Sequence, residues 1–241
     1  MPKSGILYGV GVGPGNPDWI TLQAAKILGQ CYHVVAPRAS IKQESLALEI
    51  ARPHLRADVL IHDQVYPMSR DPQVLRQAWN QAAQEIRPLL ESGEDVAFIT
   101  IGDALLYSTF IYLQRALQCE APHIRSQAIP GIPAFIAAAS LTNTPLGEGQ
   151  QPLVLVPVTG DSQQLDWALQ GQGTVVLMKA GERWPEARAT LESHQALQRG
   201  TLYQHVGQKK QRIEPLAHFL DTETSHRAYL SLAIIPPEQK S

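Results

Sequence analysis

Short apolar runs alternate along this chain with longer stretches in which apolar residues recur every three to four positions. Ile6 to Val12, Tyr32 to Ala36, Asp58 to Ile61 and Asp95 to Ile101 read as strands. The last is nearly continuous in apolar character, as in parallel sheets covered on both faces. Between them, Pro17 to Gln30 brings Ile20, Ala24, Ile27 and Leu28 to helical spacing, and Glu44 to Ala51 reads as a second helix. Pro72 to Glu91 is a long amphipathic helix, with Asp71 as its cap and Pro72 at its first position. After Ile101 a Gly-Asp pair runs into a helix that ends near Leu117. A strand from His123 to Ile129, a Pro130-Gly131 turn and a small-residue helix from Ala134 to Leu141 follow. This rhythm predicts a parallel, doubly wound α/β sheet.

The pattern changes at Thr144 to Pro152, which is rich in Gly, Pro and polar residues and reads as a linker. Strand-like runs then lie at Leu153 to Val158, Thr174 to Met178, Thr201 to Val206 and Ala228 to Ile235. Helical segments lie at Gln163 to Leu169 and Trp184 to Leu197. Two α/β domains are expected: residues 1–143, a linker at 144–151, and a smaller domain at 152–241.

Bulk properties narrow the function classes. The net charge is −2 and the Lys and Arg residues are scattered, so no nucleic-acid groove is expected. Cys31 and Cys119 lie far apart without metal-type spacing and fit thiols of a reducing cytosol. No signal peptide and no membrane span is expected, and the predicted location is cytoplasmic.

The candidate chemistry sits at strand ends. Gly9-Val-Gly-Val-Gly-Pro-Gly15 invites a dinucleotide reading. The third glycine of that fingerprint would fall at Asn16 or Pro14, and the second strand ends in Ala-Pro-Arg38 without the ribose-binding acid. A Rossmann dinucleotide fold is therefore not expected. Gly102-Asp103 offers a sharp turn and a carboxylate at the strand edge where open α/β sheets hold ligands. Tyr107, Ser108 and Thr109 add hydroxyls. No Gly-x-Ser-x-Gly elbow, Walker loop or clustered histidine set occurs, and no metal site is expected. His205 reads as a local hydrogen-bonding residue. Such a chain suits a reaction whose substrates carry the reactivity while the protein aligns them.

Four motifs resemble those of the tetrapyrrole methylases, in the family's order: Gly11-Val-Gly-Pro-Gly-Asn-Pro17 with Leu22, Gly102-Asp-Ala-Leu-Leu-Tyr-Ser-Thr109, Pro130-Gly-Ile-Pro-Ala134 and Val176-Leu-Met-Lys179. Three further stretches resemble the branch that methylates carbon 20 of precorrin-2 or cobalt-factor II: Glu44 to Ala51, Tyr66 to Asp71, and Leu106-Tyr-Ser-Thr-Phe110. The resemblance implies an S-adenosylmethionine-dependent C-methyltransferase of corrinoid synthesis. It also implies a homodimer, with the cofactor in a cleft between two α/β domains. Carried over residue by residue, it implies cofactor contacts at Pro14, Ile101, Gly102, Asp103, Leu106, Tyr107, Ser108, Thr109, Pro133, Ala134, Met178 and Val206. Gly13 and Pro14 would face the tetrapyrrole. Its eight carboxylates call for cations, for which Arg38, Arg70, Lys179 and Arg183 are the candidates. Asp103 and Tyr107 are the candidates for accepting a proton. Two departures stand out: Ala104 where the family has Pro, and Pro133 where a small hydroxyl residue is usual. A sister methyltransferase acting on another ring carbon, and a non-catalytic tetrapyrrole-binding protein, stay open as alternatives.

Overall fold

A computed structural model describes residues 4–38, 44–67, 69, 71–158, 162–179, 183–220 and 230–238. The chain divides into two compact units, residues 1–133 and 134–241.

The first unit is built on five parallel strands, β1 (Ile6–Gly11), β2 (His33–Arg38), β3 (Leu60–Val65), β4 (Val96–Thr100) and β5 (Arg125–Ile129), in the order β3-β2-β4-β1-β5. Its helices are α1 (Leu22–Gln30), α2 (Leu46–Ala51), α3 (Pro72–Glu91) and α4 (Phe110–Glu120). Alternate residues of the strands feed two cores. Leu7, Val35 and Phe98 pack with Trp79, Ile86 and Leu113 of α3 and α4, while Val10, Val34 and Ile99 pack with Leu28 and Ile50 of α1 and α2. This is the doubly wound arrangement that the apolar runs predict.

Local differences from the sequence reading have physical causes. The first helix is two pieces. Asn16 caps a 3-10 turn at Pro17–Trp19, and Thr21 opens α1 by accepting the Ala24 N–H at 3.1 Å. Pro37 does not stop the second strand. β2 pairs with β4 only through Val35 and continues beside β3 to Arg38, so Pro37 lies where the strand has one neighbour. The third strand lies later than predicted, because β3 is an edge strand carrying His62, Asp63 and Gln64. The segment after Gly102-Asp103 stays a loop until α4 starts at Phe110. Helix α3 keeps the predicted bounds, with the Asp71 carboxylate accepting from Gln73 N–H at 2.8 Å.

Unit 2 holds a mixed sheet of β6 (Leu153–Pro157), β7 (Thr174–Met178), β8 (Thr201–Gln204), β9 (Arg212–Pro215) and β10 (Ser231–Ile235), in the order β6-β7-β10-β8-β9. Strand β10 runs antiparallel to β7 and β8, so the carboxyl ends of β7 and β8 meet the start of β10 at one edge. The helices are α5 (Ala134–Thr142), α6 (Ser162–Gln170), α7 (Trp184–Ser193), α8 (Ala196–Arg199) and α9 (Leu216–Leu220). The expected single helix from Trp184 to Leu197 is broken by Gln195, whose φ is 52°. Strand β9 escaped the sequence reading because it is a four-residue edge strand with charged Arg212 and Glu214 and a terminal proline.

Among the described residues no helix is long and apolar enough to cross a membrane, and no group of three His, Cys, Asp or Glu could hold a metal ion. Cys31 is a core thiol, pushed up to about 12 by burial and then by Asp95.

A part-buried histidine pair is expected to make stability depend on pH. His33 Nδ1 and His62 Nε2 lie 2.9 Å apart across β2 and β3. Desolvation, and then His33, lower the pKa of His62, with Glu85 acting weakly against them. The folded state therefore resists protonating His62 more than the unfolded chain does. Its stabilising effect is complete above the unfolded pKa of about 6.5 and is lost as pH falls through the lowered folded value. Unfolding midpoints measured from pH 8 to pH 5 should fall more steeply for the natural protein than for His62→Gln. Parallel curves would dismiss the pair as the cause.

Candidate functional site

Three turns meet at the carboxyl edge of the first sheet. Gly13 and Gly102 exchange two backbone hydrogen bonds, the Gly102 N–H to the Gly13 carbonyl at 2.8 Å and the Gly13 N–H to the Gly102 carbonyl at 3.2 Å. Both have positive φ, 79° and 73°, which glycine adopts without strain. The third turn, at Pro130-Gly131, enters from below. A Cβ on Gly131 would sit on the Gly102 carbonyl oxygen and 2.6 Å from the Gly11 carbonyl carbon. A Cβ on Gly11 would lie 2.6 Å from the Gly102 oxygen and 2.8 Å from the Gly131 nitrogen. Gly11 and Gly131 are glycines because backbone meets backbone there.

Asp103 ties two of these turns together. Its Oδ1 accepts the Leu105 N–H at 2.8 Å and its Oδ2 accepts the Gly131 N–H at 3.0 Å. Thr21 adds a hydrogen bond from its hydroxyl to the Pro130 carbonyl at 3.2 Å. The Asp103 carboxylate, at the strand edge expected to hold a ligand, also braces the turn system.

The other predicted residues of this unit divide by direction. Ser108 is buried; its hydroxyl donates to Thr100 Oγ1 at 3.1 Å and accepts the Phe110 N–H at 3.1 Å. It is occupied in holding the start of α4. Ala104 is buried, Pro14 is buried, and Ile101, Leu106, Thr109 and Pro133 are half-buried. Tyr107 is exposed, with φ 52°. Leu22 and Leu105 are exposed apolar side chains that follow the first and second turns. Arg38, at the tip of β2, has its Nε 2.7 Å from Asp63 Oδ1. Arg70 lies outside the described residues.

In unit 2, Met178 ends β7 and its carbonyl accepts the Val158 N–H at 2.9 Å. Val206, buried, follows β8 at the same sheet edge. Ala134 is the first residue of α5, and Arg183 precedes α7. Three non-glycine residues at this edge, Lys179, His205 and Leu230, have φ of 56°, 50° and 55°. Such backbone is uncommon and gathers where a structure is held in a special shape. Lys179 is exposed as a residue, yet its ammonium is partly desolvated and its pKa is lowered for that reason. His205 approaches Gln208 Oε1 at 3.3 Å, the local role its sequence position suggested.

Sequence reasoning passed over Gly131 as a contact glycine, Thr21 as its tether, and Asp63. The Gly-x-Gly spacing before Pro14 was the available signal for close approach; nothing local marks Asp63.

The fold is an α/β frame in which glycine turns from three loops meet at one sheet edge. The family model for Tetrapyrrole (Corrin/Porphyrin) Methylases matches residues 6–218. The chain belongs to this family of methyl-transferring enzymes. It is 35% identical over 188 residues to the cobalt-precorrin-2 C(20)-methyltransferase of Salmonella typhimurium, covering 78% of each chain. It is 28% identical over 240 residues to the precorrin-2 C(20)-methyltransferase of a Sinorhizobium species, covering 96% of this chain and 95% of that one. Among solved structures, the uroporphyrin-III C-methyl transferase of Thermus thermophilus, complexed with S-adenosylhomocysteine, has the same fold. Its TM-score is 0.65 at 17% identity, over 96% of this chain and 97% of that one.

Proposed function

We propose that this protein transfers a methyl group from S-adenosylmethionine to carbon 20 of precorrin-2 or its cobalt form. The observation that carries the reading is the 35% identity to the cobalt-precorrin-2 C(20)-methyltransferase across 78% of both chains. The turns of unit 1 fit such a donor. Neither Gly102 nor Gly13 carries a Cβ to hold a ligand off the backbone; one added there would stand at ordinary contact distance, 3.9 Å from Pro133 Cα and 3.5 Å from the Trp19 carbonyl oxygen. When bound, the sulfonium supplies an activated methyl and leaves as the neutral thioether.

The chain's own part is alignment. Gly102 and Gly13 lock two turns together through their paired backbone hydrogen bonds, and Asp103 ties the neighbouring turn to them. Leu22, Leu105 and Tyr107 supply exposed apolar surface beside the turns to shed water around a macrocycle. Charge is consumed as the sulfonium reacts, and an apolar setting favours that change. Arg38 takes a substrate carboxylate, and Lys179 and Arg183 are further cations for the same purpose. The carry-over contacts at Met178, Ala134 and Val206 belong to the cofactor. Asp103 is engaged by two N–H groups, which makes it a turn brace rather than the proton acceptor.

The test is an anaerobic incubation with methyl-labelled S-adenosylmethionine and either precorrin-2 or cobalt-precorrin-2, read by NMR. A label on carbon 20 is expected, with faster turnover of the cobalt form because identity is higher to the relative named for it. Label on another ring carbon would make the protein a sister methyltransferase. Binding of tetrapyrrole without release of S-adenosylhomocysteine would leave a carrier.

A further inference from the structure

Strand β2 outruns its pairing with β4 by three residues and is accompanied to its tip by β3 alone. At that tip the Arg38 guanidinium lies against the sheet, its side chain 21% exposed. The Nε is sheltered from solvent and lies 2.7 Å from Asp63 Oδ1, but outside hydrogen-bond alignment. Asp63 sits on β3 opposite Ala36, two residues before the register partner of Arg38, so both side chains belong to one short ladder. The ladder is closed at its end by the Tyr66 N–H on the Arg38 carbonyl at 3.0 Å. Tyr66 is itself held, stacked on Trp79 at 4.2 Å with its hydroxyl donating to Gln64 Oε1 at 2.5 Å. Gln64 in turn donates to the Ala82 carbonyl and to Glu85, both at 3.2 Å, which anchors the end of β3 to α3.

A free arginine samples many rotamers, and a carboxylate ligand must then fix it at an entropic cost. Here Asp63 meets the Nε side of the guanidinium. Among the described residues it is the one polar partner of that group, and the end-on pair of nitrogens is not engaged by it. End-on pairing to a carboxylate needs only those two nitrogens. We propose that Asp63 is a positioning residue, which orients Arg38 so that its end-on fork receives one acidic side chain of the tetrapyrrole. Asp63 touches no reacting atom; it acts through Arg38. This rests on the proposed function and names a further residue of the same substrate site.

The experiment is steady-state kinetics of Asp63→Asn, Asp63→Glu, Arg38→Ala and the double variant Asp63→Asn with Arg38→Ala, using the cobalt and metal-free tetrapyrroles, with thermal melts beside them. For Asp63→Asn the KM for tetrapyrrole should rise about fivefold, the scale of a partly exposed ion pair. Its kcat and the dissociation constant for S-adenosylmethionine should stay as in the natural protein. Asp63→Glu should recover part of the loss, and adding Asp63→Asn to Arg38→Ala should change KM no further. A KM that is unchanged or lowered in Asp63→Asn overturns the proposal, as does equal loss in both Arg38 backgrounds. A natural protein that releases no S-adenosylhomocysteine with either tetrapyrrole overturns the proposed function and this inference with it. Turnover by the natural protein with a KM indifferent to Asp63 overturns this inference alone.

Discussion

Gly131→Ala should prevent unit 1 from closing at its carboxyl edge. The new methyl would occupy the place of the Gly102 carbonyl oxygen and press on the Gly11 carbonyl carbon at 2.6 Å. All the obstructing atoms are backbone, held by the β1–β4 ladder and by the Gly13–Gly102 exchange, so no side chain can swing away. Relief requires moving the Pro130-Gly131 turn, which also breaks the Gly131 N–H bond to Asp103 and the Thr21 bond to Pro130. Overpacking of this kind costs about 3 kcal/mol or more. Urea unfolding should show a lowered midpoint with loss of methyl transfer, or no folded protein. A variant as stable as the natural chain would mean that the turns do not meet as closely as described.

The second large effect is expected at Asp103. Alanine there strips the acceptor from two N–H groups, and the Gly131 N–H is buried, so the cost is about 1–3 kcal/mol. The displaced turns should lower kcat/KM about a hundredfold, the scale on which misplacement of about 1 Å acts. Asparagine has one acceptor oxygen and one donor nitrogen, so Asp103→Asn can satisfy one of the two N–H groups and should fall between alanine and the natural residue in both stability and rate. That parallel movement separates a brace from a base. If Asp103→Asn were fully stable yet as inactive as Asp103→Ala, the carboxylate would be taking a proton, and the brace reading would be wrong.

What could be read from the sequence follows from how locally each feature is caused. Helix α3 was legible to the residue because Asp71 and Pro72 determine its start from within one turn. Strand β7 was legible because Thr174 to Leu177 is an unbroken buried run that Met178 extends. The Gly102-Asp103 turn was legible as a strand end, but the partner of Asp103 was not, since Gly131 is 28 residues away and offers only an N–H. Pro37 misled because the rule against proline in strands assumes two neighbours, and where β2 and β4 part, after Val35 and Phe98, is not written in the local sequence. Ser108 looked like a free hydroxyl; its inward turn depends on Thr100 of the preceding strand. The positive φ of Lys179, His205 and Leu230 has no local signature, because nothing in an L side chain asks for it. Met178 and Val206 are marked by no periodicity; only the family resemblance singles them out, as expected cofactor contacts.

The meeting of Gly11, Gly102 and Gly131 has a consequence for how such a protein can change over time. A surface made of carbonyls and amides carries no side chain through which drift could alter it, so only the loss of a glycine is felt there. The residues around it, among them Leu22, Leu105 and Tyr107, face outward and can be exchanged without disturbing the strands beneath. Under the proposed function, new acceptors can be tried at the rim while the glycine turns stay as they are.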